Sequence, residues 1–376
     1  MDFEALHKRI TRGARKRFGR AFRGLFAVEL IDPIELAAVD LGPAPRILLV
    51  RLNYRMGNLL LITPALHALK QRWPRAEVIV CCGDRFADLL RGNNDASEIW
   101  PMPRTSPATP LRLARFFRKL RSRPFDIAID GGRGGSLSGA LAVRVARARI
   151  KVGGAGTPYS EYFNVRVEPP PAGAHRIEGL LSMLAALGVS TDDKRMRLVL
   201  APDEQQWAAE RWREYGLDGR RVIGLNVGAR GDKRWPLPRF IELARLVREQ
   251  GAAVVFFVGP EDEQHLDEAG GVWPQGAIID RTFEPRRFAA LLARCHVVVT
   301  GDTGPMHLAA AVGTPVVALF RRWNYEEFRP LGERHRLLFA PQGPPLEQVL
   351  EASVALLNES SAPAGGERLS DSTGRS

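Results

Sequence analysis

Cysteine is scarce in this chain of 376 residues: Cys81, Cys82 and Cys295 are the full set. Two are neighbours inside an apolar run, the third stands beside His296, and no C-x-x-C spacing occurs. This argues against a disulfide framework and against a cysteine zinc site. It leaves three small buried hydrophobes in a reducing compartment. No run of about 18 apolar residues is present, so no spanning helix is expected. The basic N-terminus lacks an apolar core with a small-residue cleavage site. It is not a secretory signal, and the protein is expected to stay in the cytoplasm. A Walker loop, an H-E-x-x-H pair and an Asp-x-Asp pair are all missing, so neither a metal nor an organic cofactor is implied. Acids are short as well, 42 against 54 Lys and Arg, for a net charge of +12. Such a balance points to an anionic partner: a nucleic acid, a membrane surface or a phosphorylated substrate.

What is present is two series of alternating strand and helix patterns. Residues 1–30 stand apart: Lys8, Arg9, Arg12, Arg15, Lys16, Arg17, Arg20 and Arg23 flank an apolar row of Leu6, Ile10, Ala14, Phe18, Phe22 and Phe26. On a helix this makes an apolar stripe beside a cationic face. It suits an anionic bilayer, packing on its own domain, or a partner-binding arm. Residues 31–45 read as a linker. From Arg46 the texture becomes βα: strands Ile47–Arg51, Glu77–Cys82 and Ile127–Asp130, with helices Thr63–Trp73, Phe86–Arg91, Leu111–Arg123, Leu137–Ala148 and 176–188. After a polar crossover and a charged helix, Pro202–Tyr215, a second series follows. Its strands are Val222–Asn226, Ala253–Val258, Ile278–Ile279, Val297–Thr300 and Pro315–Phe320. Its helices are Pro238–Gln250, Pro285–Ala293 and Met306–Val312. The alternation predicts parallel sheets in two Rossmann-like doubly wound domains, 46–195 and 196–345. Residues 359–376 read as a disordered tail. In such sheets ligands sit beyond the carboxyl ends of the strands.

Three motifs fall at those ends. In the first, the strand Val297–Thr300 opens into Gly-Asp-Thr-Gly-Pro-Met-His. Pro305 suits a first helical turn, so the turn aims free amides at an anion. Thr303 adds a hydroxyl and Gly304 allows close approach. Asp302 orders Thr303 or takes a sugar hydroxyl, and His307 is a donor to phosphate. The bland alternative is a βα turn capped by Asp302. In the second motif, Asn226 leads into Val-Gly-Ala-Arg-Gly-Asp-Lys-Arg-Trp-Pro, where Arg230 and Lys233 are cations for a phosphate. A solvated basic loop is the competing reading. In the third, Arg51, Asn58 and Thr63 follow the first strand and are candidates to touch substrate. A fourth stretch, Asp130-Gly-Gly-Arg-Gly-Gly-Ser136, has Leu137 where a dinucleotide fingerprint needs glycine, and reads as a flexible turn.

Taken in order, these motifs resemble the family 9 glycosyltransferases, the heptosyltransferases of lipopolysaccharide core assembly. The resemblance rests on Ile47–Leu66, on Lys233–Pro236 and on Asp302–Ala310, and covers about residues 46–345. It implies a GT-B fold with two Rossmann-like domains facing a central cleft. It implies inverting, metal-independent transfer from an ADP-heptose-like donor to a phosphorylated or Kdo-bearing lipid-linked acceptor. Lys233, Asp302, Thr303 and Gly304 would meet the donor's diphosphate and sugar, and an acid near Glu261–Glu263 would read the ribose. The N-terminal half would hold the acceptor, and residues 1–30 would suit an anionic membrane surface. One departure stands out. The family's catalytic base is the Asp of a Gly-Asp pair, and here that position is Asn58. An amide does not accept a proton as a carboxylate does. Three readings stay open: another group, such as a substrate carboxylate or phosphate, is the base; the enzyme is slow; or the protein binds a sugar nucleotide without transferring it. A nucleic-acid binder is disfavoured, because no aromatics interleave with a basic stripe.

Overall fold

The computed structural model describes Ile34 and residues 39–103, 109–132, 135–260, 262 and 273–360; the side chains of residues 109 and 110 are outside it. The expected helix over 1–30, the tail after 360, and Glu261 and Glu263 lie outside the described residues.

Two six-stranded sheets carry the chain, and every strand pair in them is parallel. The first contains β1 (Arg46–Arg51), β2 (Glu77–Gly83), β3 (Glu98–Met102), β4 (Phe125–Asp130), β5 (Ala148–Gly154) and β6 (Val165–Val167), in the order β3-β2-β1-β4-β5-β6. The second contains β7 (Val222–Asn226), β8 (Ala253–Phe257), β9 (Ile278–Asp280), β10 (Val297–Gly301), β11 (Val316–Phe320) and β12 (His335–Phe339), in the order β12-β11-β10-β7-β8-β9. The two orders are the same doubly wound topology. Each reverses direction at one place, between β1 and β4 and between β7 and β10. The crevice at such a reversal is where ligands bind in open α/β sheets.

The central strands are continuous apolar runs because helices cover both faces. In β10, Val297 to Gly301 are all buried, and in β2 Cys81 and Cys82 point to opposite, wholly buried faces. The helices are α1 (Met56–Leu60), α2 (Thr63–Arg72), α3 (Thr109–Ser122), α4 (Leu137–Val145), α5 (Arg176–Ala185), α6 (Pro202–Glu214), α7 (Leu237–Glu249), α8 (Pro285–Ala293), α9 (Gly304–Ala311), α10 (Tyr325–Phe328) and α11 (Leu346–Glu359). Three layers of core result. Helices α3 and α4 close the outer face of the first sheet around Trp100, Phe116 and Phe125. Helices α7 and α11 close the outer face of the second around Trp235 and Phe240. Between the sheets one continuous cluster joins α2, α5, α6, α8 and α9. The second unit therefore runs past residue 345 through α11, whose Val349, Leu356 and Leu357 are buried. None of the described helices is long and apolar enough to cross a membrane.

Seven elements stand where the sequence pattern was silent: α1, β3, β5, β6, α10, β12 and α11. Three are edge strands, short and half-exposed, so neither continuous nor alternating hydrophobicity marks them. Pro101 sits in β3, which is tolerated because β3 is an edge. Strand β5 is interior but carries Arg149 and Lys151. Lys151 is 8% exposed and sends its ammonium to the carbonyl of Arg144 at 2.7 Å.

One buried guanidinium ties the halves together. Arg286, 1% exposed at the start of α8, faces Glu204 of α6, 4% exposed. Its Nε and Nη2 donate to the Glu204 carboxylate at 2.5 and 2.8 Å. Its remaining protons go to the carbonyls of Asp88, Arg91 and Val199, at 3.0, 3.3 and 2.7 Å. Burial disfavours the Glu204 charge, but the Arg286, Ala201 and Arg91 donors outweigh it and hold the carboxyl below its usual range.

Candidate functional site

The carboxyl ends of the two sheets face each other. After β1 the chain turns into α1, and after β10 it turns into α9; these two short helices touch across the cleft. Glycine permits the approach twice. A Cβ on Gly57 would lie 2.4 Å from the His307 ring, and one on Gly304 would lie 2.5 Å from the Met56 side chain. A larger residue at Gly57 would collide with the buried His307 ring, and one at Gly304 would displace the Met56 side chain.

The loops after β7 and β10 form one side. Thr303 is the N-cap of α9, with extended backbone (φ −142°, ψ 174°) and no side-chain cap hydrogen bond. Pro305 occupies the first turn. The start of this helix therefore keeps its amide donors beside the Met56 thioether, a weak acceptor. The alternative reading, in which Asp302 caps this helix, does not hold: the N-cap is Thr303. Asp302 turns its carboxylate to the Lys233 ammonium from the β7 loop, and the Asn324 side-chain amide donates to the same oxygen at 3.0 Å. Lys233 and Asp302 stand 69 residues apart in sequence, brought together because β7 and β10 are neighbours in the sheet. Arg230 lies exposed on the same loop. Thr303 shares its hydroxyl with the Gly301 carbonyl at 3.3 Å and with Thr300 at 3.4 Å.

The loops after β1 and β4 form the other side. Arg51 donates to the carbonyls of Gly131 at 2.7 Å and of Asn58 at 3.4 Å. Arg51, Asn58, Gly131, Gly132 and Arg176 line a notch of about 30 Å³, close to the volume one water molecule occupies. Arg176 pairs with Glu327 of α10 on the opposite half, and its buried Nε has no hydrogen-bond partner. The Gly-Gly turn after β4, read from sequence as merely flexible, is thus part of this wall. Its signal was position: it follows the strand next to the reversal of strand order. Arg176, Asn324 and Met56 were not singled out either, because no local motif marks them.

Three residues expected to contact a ligand are buried in this structure. Thr63 is fully buried; its hydroxyl donates to the Leu60 carbonyl at 2.8 Å and accepts the Arg197 amide at 2.9 Å. It pins the crossover to α2. Asn226, 4% exposed, spends its side-chain N–H groups on the Gly228 carbonyl at 3.2 Å and on Thr300 at 2.9 Å, bracing the two loops from beneath. His307 is 5% exposed and packed under Gly57, with its Nδ1 buried and unpartnered. It belongs to the contact between the halves.

The His307 pKa is pushed down to about 4 by burial, with Asp302 opposing and His175 and Lys233 adding to the effect. The ring is neutral at pH 7. Protonation is disfavoured only in the folded chain, so this contribution to stability is complete above pH 6.5 and is lost as pH falls toward 4. The slope approaches about 1.4 kcal/mol per pH unit inside that window. Urea unfolding at about pH 7.5 and about pH 5 should show it. A His307→Gln variant should lose part of the pH dependence; an identical slope in the variant would assign the dependence to other groups.

A family model described as glycosyltransferase family 9 (heptosyltransferase) matches residues 113–353. Among curated relatives, the lipopolysaccharide heptosyltransferase 3 of Escherichia coli is 23% identical over 292 residues, 73% of this chain and 83% of that one. The lipopolysaccharide heptosyltransferase 2 of Salmonella typhimurium is 26% identical over 299 residues, 75% of this chain and 85% of that one. In structure, the family 9 glycosyl transferase of Veillonella parvula superposes with a TM-score of 0.76 at 23% identity, covering 84% of this chain and 98% of that one. The E. coli heptosyltransferase WaaC, solved with ADP-2-deoxy-2-fluoro heptose, gives 0.64 at 21% identity, covering 84% and 99%. The architecture is thus that of the GT-B heptosyltransferases.

Proposed function

The chain belongs to glycosyltransferase family 9, and on that premise we propose that it transfers a heptose-like sugar from an ADP-linked donor to a lipopolysaccharide-core or related envelope acceptor. The observation that carries this reading is the uncapped start of α9 beside the Lys233–Asp302 pair. A diphosphate suits backbone amides at a helix start together with a lysine. In the proposed complex the phosphates take over Lys233, and Asp302 is released to accept sugar hydroxyls while Asn324 steadies it. Charge then builds on the departing nucleoside diphosphate where fixed donors already point, which is how preorganised sites lower a barrier. Met56 moves aside to admit the donor. Glu261 remains the candidate to read the ribose. The relative solved with an ADP-heptose analogue supports the choice of donor class.

The acceptor side is read from Arg51, Asn58 and Arg176 around their notch. Two guanidinium groups there favour an acceptor bearing phosphate or carboxylate. Asn58 orients the attacking hydroxyl, and an anionic group of the acceptor itself takes the proton. Inversion at the sugar carbon follows from a single displacement. The second reading, a sugar-nucleotide binder impaired in transfer, is favoured by one observation only, the amide of Asn58 where the family has a carboxylate.

Two experiments test these readings. A thermal-shift panel of ADP- and UDP-sugars should find an ADP-sugar that stabilises the protein, by about 2.7 kcal/mol at a hundred times its Kd. No shift with any nucleotide sugar would overturn the donor assignment. Turnover of Asn58→Asp and Asn58→Ala with a purified acceptor addresses the base. A general base contributes roughly 10²–10⁴-fold. Asn58→Asp is expected to accelerate transfer and Asn58→Ala to slow it about tenfold; equal rates in all three would remove this side chain from the mechanism.

A further inference from the structure

A second charged feature lies away from the cleft. Helix α3 contains no acid, and its Arg112, Arg115, Arg118, Lys119 and Arg121 are all exposed. Its inner side is anchored by Phe116 and Leu120, 6% and 0% exposed. Lys119 rests on the Trp100 ring at 4.2 Å, but Arg112, Arg115, Arg118 and Arg121 make no ion pair with any described residue. Arg112, Arg115 and Arg118 recur every third residue and so share one face of the helix. Leu111 stands beside them at 59% exposure.

This row continues into a cavity of about 790 Å³ at the amino ends of the first sheet's strands. Six cations line it: Arg46, Arg121, Arg144, Arg147, Arg149 and Lys151. The two lining acids are already engaged. Glu77 bridges Arg46 and Arg123, and Asp126 accepts the Arg46 backbone amide at 2.8 Å. Arg147, Arg149 and Lys151 are in no ion pair with described residues. Leu137, Leu141 and Val145 give the same cavity an apolar wall. Cations at helix ends complement the helix dipole, which accounts for Arg121 and Arg144. It does not account for the row along the middle of α3, nor for Arg147, Arg149 and Lys151.

We propose that the α3 face and the adjoining cavity form a docking surface for an anionic lipid bilayer, with a phosphate headgroup entering the cavity. A helix of 14 residues spans about 21 Å, long enough to meet several headgroups, whereas a single small anion would occupy only one end. A cationic helix lying flat with an aliphatic side chain beside it matches interfacial binding. Nucleic acid fits less well, because the exposed large apolar residue on this face is a leucine and stacking calls for aromatics. The helix leads from the cleft end of β3 back to the start of β4, so docking along this flank leaves the cleft open at the side, toward lipid-borne material.

Co-sedimentation of the full-length chain with vesicles tests this without donor or acceptor, so its result is independent of the proposed transfer. Binding is expected to mixed phosphatidylglycerol–phosphatidylcholine vesicles, to be absent with phosphatidylcholine alone, and to fade as salt is raised. The triple variant Arg112→Glu, Arg115→Glu, Arg118→Glu should lose roughly a hundredfold in binding, about fivefold for each cation near an anionic surface. Arg147→Glu with Arg149→Glu should lose about tenfold or more. All five sites are exposed, so melting temperatures should stay unchanged and certify folding. Three results would each overturn the proposal. One is a triple variant that sediments as wild type does, including the case where only Arg12→Glu with Arg15→Glu abolishes binding. Another is release from vesicles by millimolar inorganic phosphate. The third is release by random RNA at matched phosphate concentration.

Discussion

Replacing Lys233 by alanine is expected to reduce kcat/KM for sugar transfer by roughly 10²–10³, the range seen when one preorganised electrostatic donor is removed. The lysine supplies the mobile charge of the proposed donor site; the α9 amides supply fixed dipoles that the substitution leaves in place. The variant should therefore keep weak donor binding. Asp302 would lose its ammonium partner but retain the Asn324 amide, and its side chain is 10% exposed. A modest change in melting temperature is consistent with that and separates the effect from unfolding. Lys233→Arg should recover part of the rate, since charge returns but the planar guanidinium cannot occupy the same point. Steady-state kinetics on the three forms decide the matter. Wild-type kcat/KM in Lys233→Ala would show that the lysine only ties the two loops together.

The second large effect concerns stability. Arg286→Leu leaves the Glu204 carboxylate, 4% exposed, with Arg91 and the Ala201 amide as its remaining donors. Removing one member of a buried pair costs about 3–5 kcal/mol. The damage reaches both halves, because the same guanidinium also serves the carbonyls of Asp88 and Val199. Changing both partners, Arg286→Met with Glu204→Gln, should be less harmful than the single change, because no uncompensated charge remains buried. Urea unfolding of Arg286→Met, Glu204→Gln and the double variant measures the coupling. Strict additivity would mean that the pair contributes nothing beyond its separate packing.

The absence of charge on Asn58 bears on the acceptor side of the cleft. A carboxylate at this position would sit within reach of Arg51 and Arg176, which line the same notch. With the amide, Arg51 keeps its bonds to the Gly131 and Asn58 carbonyls and Arg176 its pair with Glu327. An anionic group on the acceptor would add to these contacts where the family's carboxylate would otherwise stand.

Much of this molecule is local and was legible in the chain alone. Apolar runs ending in glycine-bearing turns, followed by helix-period segments, dictate strand–turn–helix units. Repeated twice, they dictate two doubly wound sheets, because a parallel strand pair needs a helical crossover. The Gly-Asp-Thr-Gly-Pro turn announced an uncapped helix start for the same local reason. What the chain alone left undecided is who meets whom across the sheets. Lys233 meets Asp302 only because β7 and β10 are neighbours at the reversal of strand order. Thr63 was read as a ligand contact, yet it is buried by the crossover segment, 134 residues away. Asn226 and His307 turn inward because the loops and halves that close over them come from elsewhere in the sequence. Short edge strands such as β3 and β12 escape the pattern, since half-exposed residues carry no clear period. Periodicity acts over a few residues, whereas burial depends on partners brought in from far along the chain.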